Sequence, residues 1–189
     1  MTRLTMPDPP QFPAGPFVPP DTHGGRERDV WIGEIEGAPA RVREAVSGLT
    51  DRQLDTTYRN WTIRQIAHHI ADSHLNSYVR FKLALTEDRP TIKPYDESRW
   101  SELADARRAD IAPSLHLLDG LHARWGHLLR SLGQNEFERS FHHPESRETV
   151  PLWRALAYYA WHARHHTAQI TWVKTFKLGD QPDQGRKTG

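Results

Sequence analysis

No cysteine occurs in the 189 residues, which excludes disulfide scaffolds, thiolate metal sites and a cysteine nucleophile together. Any metal must therefore be held by nitrogen or oxygen. Apolar runs are short as well: none approaches the roughly 20 residues that cross a bilayer, and mean hydropathy is -0.76. A membrane protein is not expected. The opening residues, MTRLTMPDPPQF, lack the apolar stretch of a signal peptide, so a cytoplasmic protein is expected. Neither charge sign dominates, with 25 Lys and Arg against 24 Asp and Glu, and this argues against nucleic acid or an anionic membrane as partner. The 7 Trp, 6 Phe and 5 Tyr are nevertheless too many for a disordered chain, and the length suits one domain with tails.

Proline and histidine are abundant. Half of the 14 prolines fall in the first twenty residues, where a fixed φ and a missing N–H forbid helix or central strand. Residues 1–25 therefore read as a Pro-rich arm, either flexible or laid as an extended strip on the domain or on a partner subunit. Residues 179–189 read as a polar C-terminal tail, leaving 26–178 as the folded domain. Period-2 alternation is nearly absent there, and helical periodicity dominates. A first helix is predicted from about Arg26 to Ser47, with a kink at Pro39. The second starts at Thr62, where Thr62 and Gln65 form a capping box and Trp61 and Ile66 a hydrophobic staple; it runs to about Thr86. A third starts near Pro113 and carries Leu118, Leu121 and Trp125 on its apolar stripe. The fourth begins near Thr149-Val150-Pro151 and continues to about Phe176. Four amphipathic helices without strands predict an all-α four-helix bundle with an extended N-terminal arm.

Helical angles sort the 12 histidines. At 100° per residue from Ile66, the second helix turns Ile70, Ser73, Ser77 and Phe81 inward, with His69 at the edge of that face and His68 nearly opposite. His69, Ser73, Asn76 and Arg80 form a polar stripe beside the apolar seam. On the fourth helix Leu152, Ala155, Tyr159, Ala163, Ile170 and Val173 face inward with His162 and His166, and His165 points away. Inward histidines at i and i+4 present two imidazole nitrogens from adjacent turns, and His69 supplies a third from a neighbouring helix. Core histidines satisfied by backbone carbonyls are the plainer alternative. Against it, burying an imidazole without a partner costs about 1–3 kcal/mol. Three histidines leave coordination positions open, as in catalytic rather than structural zinc sites. His-Glu-x-x-His, phosphate-cradling glycine loops and a nucleophile elbow are all absent. His142 and His143 are expected in an exposed loop, His122 and Trp125 in the core or at its rim, and Asp96, Glu97 and Glu102 in solvent.

Longer stretches narrow the choice. WTIRQIAHHIADSHLNSYVRFKLALTEDRPTIKPYDESRWSEL, LLDGLHARWGHLLRSL and YYAWHARHHTAQI, in that order over roughly residues 28–178, resemble the YfiT-like branch of the DinB superfamily. The resemblance implies a four-helix bundle holding one divalent ion, zinc first and nickel second, on His69, His162 and His166. It also implies a cytoplasmic homodimer acting on a small molecule as a metal-dependent hydrolase, or, as in related proteins, transferring a low-molecular-weight thiol such as bacillithiol. Gln169 departs from relatives that have a further histidine there, and is expected to hydrogen-bond a metal-bound water rather than to be a ligand. Asn76 and Arg80 are the expected substrate contacts, Arg80 through a bidentate fork to a carboxylate, with an ion pair to Asp96 or Glu97 as the alternative. A divalent ion lowers the pKa of water from 15.7 to about 7 and equally ionises a thiol. Hydrolysis wants a base to steer water, and Asp72 lies on the wrong side of its helix. A metal-binding dimerisation module without catalysis stays open beside both enzyme readings.

Overall fold

The computed structural model describes residues 7–21 and 23–179. Four long helices make the bundle: α1 (Gly25–Val46), α3 (Ile63–Thr86), α6 (Ala112–Arg130) and α8 (Leu152–Val173). Between them lie the short helices α2 (Asp51–Leu54), α4 (Glu97–Ser101), α5 (Ala104–Arg108) and α7 (Gln134–Phe137), and a five-residue π turn, Lys174–Leu178, follows α8. Helix α1 packs on α6 and α8, and α3 packs on the same two, so α1 and α3 face each other across the diagonal. The all-α bundle expected from periodicity is the architecture found.

The expectation of no strands is corrected. Two short antiparallel pairs are present: β1 (Thr57–Tyr58) with β2 (Trp61–Thr62), and β3 (Ser140–His143) with β4 (Glu148–Pro151). Strands of 2–4 residues are too short to display alternation. Each hairpin delivers the chain directly into a bundle helix, since Thr62 caps α3 and Pro151 precedes α8. The predicted box is formed: Gln65 N donates to Thr62 Oγ1 at 3.1 Å and Thr62 N to Gln65 Oε1 at 3.0 Å. Trp61 packs on the cluster that contains Ile66. His142 and His143 lie in β3, half-buried, rather than in an exposed loop.

The arm rests on its own chain. Trp161 Nε1 donates to the Gly15 carbonyl at 2.9 Å, Arg59 Nη1 to Pro9 O at 3.0 Å, and Tyr58 Oη to Pro10 O. Phe12 and Phe17 pack on Trp161, at 6.5 and 5.8 Å between centroids. Of the predicted tail only Gly179 belongs to the described residues, and 180–189 lie outside them.

Two apolar clusters fill the bundle. One joins Val42, Val46, Ile63, Ile66, Ile70, Leu115, Leu118, Ile170 and Val173; the other joins Ile32, Ile35, Phe81, Trp125, Leu129, Leu152, Leu156 and Tyr159. Next to these clusters α3, α6 and α8 carry buried histidines: His69 and His74, His122, and His162 and His166. A belt of imidazoles thus divides the core. Among the described residues no helix is long and apolar enough to cross a membrane.

Candidate metal centre

Helices α3 and α8 bring His69, His162 and His166 together, all buried, with one nitrogen from each within 4.8 Å of the others. His69 Nε2 and His162 Nε2 are 3.3 Å apart. Two nitrogens about 2.0–2.1 Å from one zinc ion, at the tetrahedral angle, are separated by about 3.3–3.4 Å. The pair therefore has the span of adjacent ligands. His166 Nδ1 donates to Gln169 Oε1 at 2.8 Å, which leaves Nε2 as its bare nitrogen. Burial drives the His69 pKa down to about 4 and holds those of His162 and His166 well below the usual value, with neighbouring imidazoles adding to the shift. Neutral rings are the form that binds a cation. Trp61, set by β2, lies 4.6 Å from the His69 ring and closes that flank.

Gln169 is placed differently from the expected water contact. Its carboxamide spans two rings, accepting from His166 Nδ1 and donating from Nε2 to His165 Nε2 at 3.0 Å. His165 does point away from the cluster, but it is buried under Trp161 and Phe12 of the arm, at 4.8 and 5.9 Å. His68 also points away and ties α3 to the start of α6, with Nδ1 2.8 Å from Ser114 Oγ and Nε2 3.4 Å from Ala109 O.

One cavity opens on the centre through His166, and a second, lined by none of the three histidines, lies beside Tyr158 and Tyr159 of α8. The first, about 450 Å³, is lined by His166, Gln169, Trp61, Tyr58, Ser98 and Glu102 among others. The second, about 360 Å³, reaches Ser73, one turn beyond His69, and includes Arg80, Tyr95, Glu97, His143, Tyr158 and Tyr159. Arg80 Nη1 donates to Tyr159 Oη at 3.0 Å, and Arg80 Nε has no partner among the described residues. Neither Asp96 nor Glu97 forms the alternative ion pair: Asp96 instead caps α4, accepting from Arg99 N at 2.9 Å. Glu97 is exposed at the rim of this cavity, as expected, and partial desolvation there raises its pKa. Glu102 accepts from Gln65 Nε2 at 3.3 Å and pairs with Arg107. Asn76 lines neither cavity; its Nδ2 donates back to Asp72 O at 2.9 Å within α3, so the structure does not bring it to the site. Asp72 is likewise absent from both linings.

Sequence reasoning missed His74 and placed His122 only in the core or at its rim. His162 Nδ1 lies 3.3 Å from His74 Nε2, and His74 Nδ1 lies 3.0 Å from His122 Nε2. The signal was present: His74 follows Ile70 by four residues on the inward side, and His122 sits between Leu118 and Trp125 on the apolar stripe.

A family model described as the DinB superfamily matches residues 34–170. The Bacillus subtilis (strain 168) protein named "Putative metal-dependent hydrolase YfiT" is 50% identical over 162 residues, 85% of this chain and 91% of its own. A protein of Bacillus mycoides (strain KBAB4), also named as a putative metal-dependent hydrolase, is 50% identical over 163 residues, 85% of this chain and 93% of its own. Among solved structures, the one titled "YfiT from Bacillus subtilis is a probable metal-dependent hydrolase with an unusual four-helix bundle topology" matches with a TM-score of 0.85 at 48% identity, covering 89% of this chain and 97% of that one.

Proposed function

The chain belongs to the DinB superfamily, and on that premise we propose that it is a metal-dependent hydrolase of a small molecule, with one divalent ion held by Nε2 of His69, His162 and His166. The observation that carries this reading is the gathering of three buried imidazoles on α3 and α8, with a ligand-like 3.3 Å between two of the nitrogens. The donor set is all nitrogen and borderline in softness, which suits zinc first and nickel second. A bound ion would supply hydroxide from water, or thiolate from a thiol, at neutral pH.

The rest is work for the chain itself. Gln169 holds the His166 ring by its Nδ1–H, and His165 anchors the other end of that amide. Trp61 and Tyr158 bring apolar surface to the rings, at 4.6 Å from His69 and 5.8 Å from His162. Arg80, steadied by Tyr159 and without a carboxylate partner among the described residues, is the residue we assign to an anionic group of the substrate. Asn76 has no part in that assignment.

Thiol transfer on the same ion is the second reading, and one observation favours it. Among the described residues the one carboxylate lining the His166 cavity, Glu102, is already engaged by Gln65 and Arg107, so that cavity offers water no free base. A bound ion would lower the pKa of a thiol so that its proton is lost to solvent, and thiol transfer would then need no protein base. A closed, non-catalytic site is less favoured, because the amide of Gln169 is committed to two histidines.

Metal content of the purified untagged protein tests the centre. About one ion per chain is expected, lost in His69→Ala and in the His162→Ala/His166→Ala double variant, and retained in Arg80→Ala with weakened substrate binding. Wild-type protein that takes up neither zinc nor nickel would reduce the three histidines to core packing. With metal established, ester and amide hydrolysis assayed beside thiol conjugation separates the two reactions.

A further inference from the structure

The imidazole belt contains more than the three proposed ligands. From His162 a line of contacts crosses the bundle: His162 Nδ1 to His74 Nε2 at 3.3 Å, His74 Nδ1 to His122 Nε2 at 3.0 Å, and His122 Nδ1 to the Ile35 carbonyl at 2.6 Å. His74, His122 and His162 are 0%, 1% and 4% exposed. The far end of the line is a backbone oxygen, which only accepts. It is free to do so because residue 39 is proline: in α1 the N–H of residue 39 would ordinarily bond to the carbonyl of residue 35, and Pro39 has none. A predicted helix fault thus becomes an acceptor aimed into the core, and α1 runs through it unbroken.

Directionality follows from elementary hydrogen-bond chemistry. A carbonyl acceptor forces hydrogen onto His122 Nδ1. In a neutral ring that leaves His122 Nε2 as an acceptor, so His74 must donate from Nδ1 and accept at Nε2. His162 must then donate from Nδ1 in turn, and its Nε2 lone pair is left facing His69 Nε2. Among the described residues no acidic side chain is hydrogen-bonded to any ring of the line to reverse it.

We infer that Pro39, through the Ile35 carbonyl, and His122 and His74 act as a positioning relay that fixes the tautomer of His162 and keeps its Nε2 bare for a cation. His122 and His74 are positioning residues, not ligands. This rests on the metal reading for its purpose, though the relay itself exists with or without an ion.

The test is nitrogen-15 NMR of the histidine side chains in protein stripped of metal with chelator, followed by zinc titration against a competing indicator. Hydrogen on Nδ1 of His122, His74 and His162 is expected in the wild type; Nε2–H on any of them overturns the relay. His122→Leu removes the first acceptor, so His162 should become a mixture of tautomers and zinc affinity should fall about 10–100-fold. His122→Gln places an amide oxygen where Nε2 stood, and should preserve the His162 tautomer and most of the affinity. A leucine variant with an unchanged His162 spectrum and unchanged zinc binding also overturns the proposal. Should the leucine variant fail to fold, the wild-type spectrum and the glutamine variant decide. A wild type with the expected tautomers that binds no zinc would refute the metal reading and leave the relay standing.

Discussion

Single histidines in this protein differ by what they touch rather than by where they fall in sequence. His68 and His69 are adjacent, yet one ties α3 to Ser114 and Ala109 and the other enters the cluster. Burial has a titration consequence for the metal-free protein. The His122 pKa is pushed down to about 4 by burial, opposed by its bond to the Ile35 carbonyl, and that of His69 also falls to about 4. A depressed histidine pKa means that the unfolded chain binds the proton first. Stability is then full above the unfolded pKa near 6.5 and declines as pH falls toward about 4. For His122 alone the decline is on the order of 3 kcal/mol. Urea unfolding in chelator across that range should show the loss, shallower in His122→Gln; a flat profile would mean that these rings are protonated in the fold.

Elements position the site through their ends. Both hairpins finish at the first turn of a histidine-bearing helix, and the Thr62–Gln65 box fixes where α3 begins, less than two turns before His69. Thr62→Ala should cost about 1 kcal/mol of stability by leaving the Gln65 N–H unpaired. Because Trp61 immediately precedes Thr62 and packs on His69, the same substitution should also weaken zinc binding. Thermal denaturation and indicator titration read the two effects separately, and a stability loss without any affinity change would show that the cap serves the helix alone.

At the scale of the molecule, the arm and the divided core belong together. The arm covers Trp161 and His165, and His165 in turn holds Gln169. Deleting residues 1–20 should therefore lower the melting temperature and open Trp161 to iodide quenching, which intrinsic fluorescence would follow. The expected homodimer remains a proposal, and the mass in solution of the same truncated protein tests whether the arm contributes: an unchanged dimer would confine the arm's role to its own bundle. Unaltered quenching would mean that the arm does not protect α8 in solution.

Periodicity alone was enough for the four helices, the inward pair at His162 and His166, and the edge position of His69, because each is a local consequence of 3.6 residues per turn. The capping box at Thr62 is equally local, and it formed as read. Strands of 2–4 residues carry too little pattern to be seen, and position on a helix stripe does not show that the Asn76 amide turns back to Asp72 O. The relay needed the tertiary structure most. Ile35, His74, His122 and His162 lie on four different helices, and no spacing in the chain announces that Pro39 leaves a carbonyl free to face an imidazole 87 residues away. Local sequence set which way each side chain points along its own helix; only the packing of α1, α3, α6 and α8 decided which of them meet.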